Sequence, residues 1–119
     1  MKLTNREEQI MDFLWNEGAS FVKDIVGALD DPKPHYNTIS TIVRNLEQKG
    51  FIGHEDFGTT YRYFAAISKE DFVRQNLKKD VRKYFNNSYK SLVSSLVESR
   101  DISIEEVKEL IELAKNKQK

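Results

Sequence analysis

Cysteine is absent from the 119-residue sequence, and proline occurs only twice. Without a thiol, the chain has no disulfide, no thiolate metal site and no cysteine nucleophile. No apolar run approaches the roughly 20 residues that a membrane-spanning helix requires. The first eight residues are largely polar and end in two glutamates, unlike a secretory signal. These absences predict a cytoplasmic protein without a membrane segment.

An excess of charge of either sign is also lacking, because 19 basic side chains balance 19 acidic ones. Overall neutrality weighs against binding to a polyanion, but the local distribution matters more than the sum. Between residues 33 and 49 there are three basic side chains and a single acid, Glu47. One face of the protein is therefore expected to be locally basic.

The sequence offers little for catalysis. Its two histidines, His35 and His54, fall in different segments without an evident carboxylate partner. Acidic pairs at 7–8 and 105–106 coincide with predicted helix starts, where the helix dipole favours them. No glycine-rich phosphate loop is present. We therefore expect no enzyme, no cofactor and no metal site.

Helical spacing of apolar residues predicts three short helices in the first 50 residues. Serine, threonine and asparagine are favoured N-caps, and glycine is favoured just after the last turn. Proline stops the second helix because it lacks an N–H and restricts the preceding residue. These signals place the helices from the cap Thr4 to Gly18, from the cap Ser20 to the loop 30–34, and from the cap Asn37 to Gly50.

Two β-favouring segments follow the third helix. Residues 51–55 alternate loosely, residues 60–65 are rich in aromatic side chains, and residues 56–59 between them are typical of a hairpin turn. Three helices followed by a hairpin are the order of a winged helix-turn-helix. We therefore predict a mainly α fold with a small β-hairpin wing, extended by a C-terminal helical dimerisation region.

Residues 68–119 predict three further helices, each with an apolar stripe. Such short helices on a small domain cannot hide every stripe within one chain, so we expect two copies to pair. The alternative is a helical cap folded back on its own domain. The predicted domains are 1–67 for the winged helix and 68–119 for dimerisation. The predicted dimerisation residues are Phe72, Leu77, Val81, Phe85, Leu92, Leu96, Val107, Leu110 and Ile111.

The exposed face of the third predicted helix is polar and almost free of acid. Hydroxyl, amide and guanidinium groups can bond base edges in the major groove, and a helix start can meet a phosphate. Threonine and serine are poor helix formers on an exposed face, so their presence needs a reason, and the adjoining hairpin favours a binding role over simple solvation. With two residues of the wing, the predicted DNA contacts are Asn37, Thr38, Ser40, Thr41, Arg44, Lys49, Tyr61 and Arg62.

A resemblance to a known protein family is clearest in residues 36–52, YNTISTIVRNLEQKGFI. Shorter matching blocks lie at 61–63 and 102–110. The sequence resembles the BlaI/MecI/CopY penicillinase-repressor type of bacterial transcription regulators over most of its length. The resemblance implies a homodimer on a pseudo-palindromic double-stranded DNA operator. It further implies repression of a resistance or sensor operon, with the winged helix on DNA and the C-terminal helices clasping the partner copy.

The induction modes of that family fit this sequence poorly. In the penicillinase branch a membrane-bound sensor protease triggers cleavage at an asparagine–aromatic pair, which Ser95-Leu96 replaces here. The copper-responsive branch uses a C-terminal cysteine cluster, which is missing. An alternative function is a winged helix that binds protein and not DNA, which zero net charge and the acidic turn residues Glu55 and Asp56 favour.

Overall fold

A computed structural model describes residues 3–29 and 33–117. Within these ranges the predicted mainly helical fold with one hairpin is confirmed. None of the helices described combines the length and the apolar composition of a membrane span. The elements are α1 (Asn5–Glu17), α2 (Val22–Ala28), α3 (Tyr36–Gln48), β1 (Ile52–Phe57), β2 (Thr60–Ala65), α4 (Lys69–Tyr84), α5 (Tyr89–Glu98) and α6 (Ile104–Lys117).

The chain divides into two compact units, Met1–Asn76 and Leu77–Lys119, with the division inside α4. The first unit holds α1 to β2 and the first half of α4. The predicted boundary after Ile67 separates a DNA-binding from a dimerisation domain, and this division by function stays a prediction.

The start of α1 is a capping box built on the predicted cap Thr4. The Thr4 hydroxyl accepts a hydrogen bond from the Glu7 N–H at 3.2 Å, and the Glu7 carboxylate accepts one from the Thr4 N–H at 2.9 Å. Gly18 ends the helix with a φ of +83°, a conformation that glycine adopts without steric cost. Both predicted ends of this helix are confirmed.

The prediction that Ser20 caps α2 is wrong. Phe21 is the N-cap residue, and its N–H donates to the Asp24 carboxylate at 3.1 Å. The backbone of Ser20 pairs instead with Tyr63 of β2, in two hydrogen bonds of 2.8 Å each. This bridge fastens the hairpin to the α1–α2 connection, and a single bridge leaves no periodic pattern in the sequence.

Helix α3 begins earlier than predicted. His35 is its N-cap residue and makes no side-chain capping bond, so Asn37 lies within the first turn. The predicted end at Gly50 is confirmed: Gly50 has a φ of +88°, its N–H donates to the Glu47 carbonyl, and the Phe51 N–H donates to the Leu46 carbonyl. This crossed pair of bonds is a Schellman motif, which satisfies the last carbonyls of the helix.

The wing is an antiparallel pair in which Ile52 faces Ala65 and Phe57 faces Thr60. Its loop contains only Gly58 and Thr59, so the four-residue turn predicted over 56–59 is too long. Gly58 has a φ of +67°, which a tight two-residue hairpin loop requires.

One hydrophobic core joins α1, α2, α3 and the hairpin. Each large apolar side chain buried in this way contributes roughly 1.5–3 kcal/mol to stability. The members are Ile10, Met11, Leu14, Val22, Ile25, Leu29, Ile39, Val43, Leu46, Ile52 and Tyr63.

Phe72, at the start of α4, packs within the first unit. Its ring lies 5.4 Å from that of Trp15 and 5.7 Å from that of Phe51. The Trp15 indole N–H donates to the Ile67 carbonyl at 2.9 Å. Phe72 therefore has an intramolecular packing role in addition to its predicted role in dimerisation.

The second unit has well-formed helix ends but little core. Ser88 caps α5 through the Ser91 N–H, and Ser103 and Glu106 form a capping box at the start of α6. Among the described residues from 77 to 117, Val81 alone is fully buried.

Candidate nucleic-acid interface

Helix α3 has one buried face and one open face. Ile39, Val43 and Leu46 are completely buried against the core of the first unit. On the opposite side the predicted DNA contacts Asn37, Thr38, Thr41 and Arg44 are exposed, while Ser40 is half-buried beside them. The structure therefore brings the polar residues of the helix to one surface.

Two side chains of this surface are bonded to their own helix. The Thr41 hydroxyl donates to the Asn37 carbonyl at 3.0 Å, and Arg44 Nε donates to the Ser40 carbonyl at 3.4 Å. The Thr41 oxygen is left to accept, and the terminal nitrogens of Arg44 remain available as donors. Both groups can thus bond a ligand without giving up their present geometry.

Glu47, the only acid of α3, is turned toward the wing. Its carboxylate contacts Nδ1 of His54 on β1. The His54 ring packs on Tyr61 of β2 with 4.4 Å between ring centroids. This contact joins α3 to both strands of the wing, and it gives His54 a structural role that its position in the sequence did not reveal.

Lys49 is engaged by α1. Its ammonium lies 2.9 Å from the buried Glu7 carboxylate. The pKa of Glu7 is lowered, chiefly by the Thr4 N–H and then by Lys49, against the opposing effect of burial. A DNA contact by Lys49 stays a prediction, and the structure shows in addition that this residue ties the end of α3 to α1.

Arg62 lies within the wing beside Glu55, its cross-strand partner. Arg62 Nη2 is 2.5 Å from the Glu55 carboxylate, and the guanidinium lies 5.3 Å from the centre of the Phe57 ring. An arginine neutralised in this way attracts phosphate weakly. Tyr61, on the other face of the strand, keeps 47% of its surface exposed.

The apolar residues of the second unit remain largely open within a single chain. Leu77, Leu110 and Ile111 are exposed by 43%, 57% and 48%. Half-buried positions are Phe85, Leu92, Leu96 and Val107. Val81, which was predicted with them, is completely buried within the single chain, and its contact with a partner stays a prediction.

Three helices followed by a two-stranded antiparallel hairpin define a winged helix-turn-helix protein. The same fold is found in the solution structure of a homodimeric winged helix-turn-helix DNA-binding domain from Mycobacterium bovis, a possible ArsR-family transcriptional regulator. The TM-score is 0.50 at 20% identity, over 72% of this chain and 76% of that one. The penicillinase repressor family model matches residues 3–116, so the chain belongs to that family.

Named relatives agree with this assignment. The methicillin resistance regulatory protein MecI of Staphylococcus aureus strain N315 is 24% identical over 92% of this chain and 89% of its own length. MecI of Mammaliicoccus sciuri is 25% identical over the same shares. The penicillinase repressor of Bacillus licheniformis is 23% identical over 94% of this chain and 88% of its own length.

Proposed function

We propose that the protein is a transcriptional repressor that binds duplex DNA as a homodimer, with α3 in the major groove. Membership of the penicillinase repressor family supports repression, and it does not favour the alternative of a protein-binding winged helix. The observation that carries DNA binding is the open face of α3. Hydroxyl, amide and guanidinium groups cover this face, and its single carboxylate, that of Glu47, is held against His54.

The exposed apolar surface of the second unit supports the proposed homodimer. Helices α5 and α6 bury no residue completely, and α6 exposes Ile104, Leu110, Ile111 and Leu113. Large apolar side chains clustered on a surface typically mark an interface. A second copy of the chain supplies the same apolar surface, as a two-fold dimer requires.

Two-fold symmetry predicts the form of the operator. A dimer that places one α3 in each of two major grooves requires inverted half-sites separated by about one helical turn or a multiple of it. The proposed operator is therefore pseudo-palindromic. By family membership it would control a resistance or sensor operon.

Selection from a pool of random DNA duplexes tests this proposal without knowledge of the operator. Rounds of binding to the purified protein should enrich an inverted repeat. A variant with Thr38, Thr41 and Asn45, the exposed residue one turn after Thr41, changed to alanine should lose that enrichment. A pool that remains random after selection with the unaltered protein would contradict DNA reading and would turn attention to a protein partner.

Two finer expectations stay predictions. A cytoplasmic location would be needed for access to the operator. A sensor protease, implied by the family resemblance, would act near Ser95 and Leu96. These residues lie within α5, so cleavage there would require local opening of the helix.

A further inference from the structure

Two adjoining clefts lie on the first unit between the start of α2, the first turns of α3 and the wing. Their volumes are about 280 Å³ and 220 Å³, and Val22, Tyr36 and Thr60 line both. We call the two together the α3–wing cleft. All of its walls come from the first unit, so its shape is set by the packing of one compact body.

The chemistry of the α3–wing cleft suits an anion. Lys23 lines one part and Arg44 the other, Tyr36 and Thr60 line both parts, and Tyr61 lines the part that contains Arg44. Tyr36 is 51% exposed. Among the described residues that line the cleft there is no carboxylate. Lysine, arginine and hydroxyl groups are the usual protein partners of phosphate oxygens in DNA complexes.

The position of the cleft identifies the anion. If α3 lies in a major groove, the wing beside it approaches the neighbouring minor groove. One DNA strand must then pass between helix and wing, because the sugar-phosphate backbone separates the two grooves. Residues of both α3 and the wing line the α3–wing cleft, so in this arrangement the cleft would face that strand.

We propose that the α3–wing cleft binds backbone phosphates of the operator through Lys23, Tyr36 and Arg44. This inference rests on the proposed DNA-binding function and adds Lys23 and Tyr36 to the interface. It also assigns Arg44 to the backbone, so that sequence discrimination falls to Thr38, Thr41 and their neighbours on α3.

Lys23→Gln and Tyr36→Phe test the assignment with little risk to folding, since both side chains are exposed. Each variant should weaken binding to the selected duplex and to a random duplex by the same factor. For Lys23→Gln the slope of log affinity against log salt should become shallower by about 1 for each chain bound. Lys78→Gln, with the same loss of charge on an exposed site outside the cleft, should leave the slope unchanged.

Ethylation of single phosphates locates the contact. With the unaltered protein, ethylation of particular phosphates in each half-site should block binding. With Lys23→Gln, blocking at one of them should disappear while the others persist. An unchanged slope together with an unchanged ethylation pattern would overturn the proposal, as would a loss confined to the selected duplex, which would indicate base contact.

Free phosphate is the other possible source of the same chemistry. At matched ionic strength, inorganic phosphate should inhibit DNA binding no more than sulfate does. Specific inhibition that depends on Lys23, with an unchanged ethylation pattern, would mean that the cleft binds a free anion and would overturn the backbone assignment. If the unaltered protein bound no duplex at all, the proposed function itself would fail.

Discussion

Glu7 shows how one side chain can serve two parts of the fold. It completes the capping box of α1 with Thr4, and it also bonds Lys49 at the end of α3. Only 6% of its surface is exposed, so neither bond is exchanged easily for water. Glu7 therefore fixes the end of the proposed recognition helix relative to α1.

Substitution Glu7→Gln removes the charge but keeps the shape. Loss of charge-assisted bonds at a buried site should lower the free energy of unfolding by about 1–3 kcal/mol at pH 7. Urea unfolding measures this value. Glu8→Gln, an exposed neighbour in the same first turn, is the matched control and should change stability by less than about 0.5 kcal/mol.

The same residue predicts a pH dependence. Because the pKa of Glu7 is lower in the folded chain, its stabilisation is fully present above the unfolded-state pKa. It is lost as the pH falls through the folded-state pKa. The stability difference between the unaltered protein and Glu7→Gln should therefore shrink between pH 7 and pH 3, and a difference that stayed constant would show that ionised Glu7 is not the cause.

At the scale of elements, the sequence predicted what depends on neighbouring residues. The cap at Thr4 and the glycine end of α3 are predictable because their hydrogen-bond partners lie within three to five positions along the chain. Strand β2 was recognised by its β-favouring side chains. For the proposed DNA interface, the exposure of the polar residues of α3 followed from the helical spacing of its apolar residues.

What the sequence did not predict depends on contacts between distant segments. The bridge from Ser20 to Tyr63 and the pair of Lys49 with Glu7 form only after α1, α3 and the wing pack. The sequence did not predict Lys23 and Tyr36 as candidate DNA contacts for the same reason, since only the folded unit places them beside the wing. Secondary structure was therefore easier to predict than the set of lysine and arginine side chains that are not already paired with a carboxylate and can bind DNA.

The wing contains a close approach that a substitution can test. A Cβ at Gly53 would lie 2.5 Å from the ring tip of Phe64, its cross-strand neighbour. Gly53→Ala should force the exposed Phe64 ring out of its present rotamer and thus cost about 0.5–1.5 kcal/mol, measured by thermal or urea unfolding. In a Phe64→Ala background the same change should be neutral or stabilising, because alanine loses less entropy than glycine in a strand. Equal costs in both backgrounds would contradict the packing explanation.

At the scale of the whole molecule, the apolar surface of the second unit should govern oligomeric state. Ile111→Asp places a charge on an exposed apolar position of α6, so it should produce folded monomers with weaker affinity for the full operator. Asn116→Asp adds the same charge at another exposed position of α6, among its polar residues, and should leave the dimer intact. Analytical ultracentrifugation distinguishes the species, and a dimeric Ile111→Asp variant would remove this surface from the proposed interface.

Fluorescence anisotropy of the selected duplex tests the central claim most directly. The purified protein would be titrated at several salt concentrations, with a random duplex as control. We predict two chains per duplex, tighter binding to the selected sequence, and an affinity that falls steeply with salt. Binding of one chain per duplex, or equal affinity for both sequences at every salt concentration, would contradict a dimeric, sequence-reading repressor.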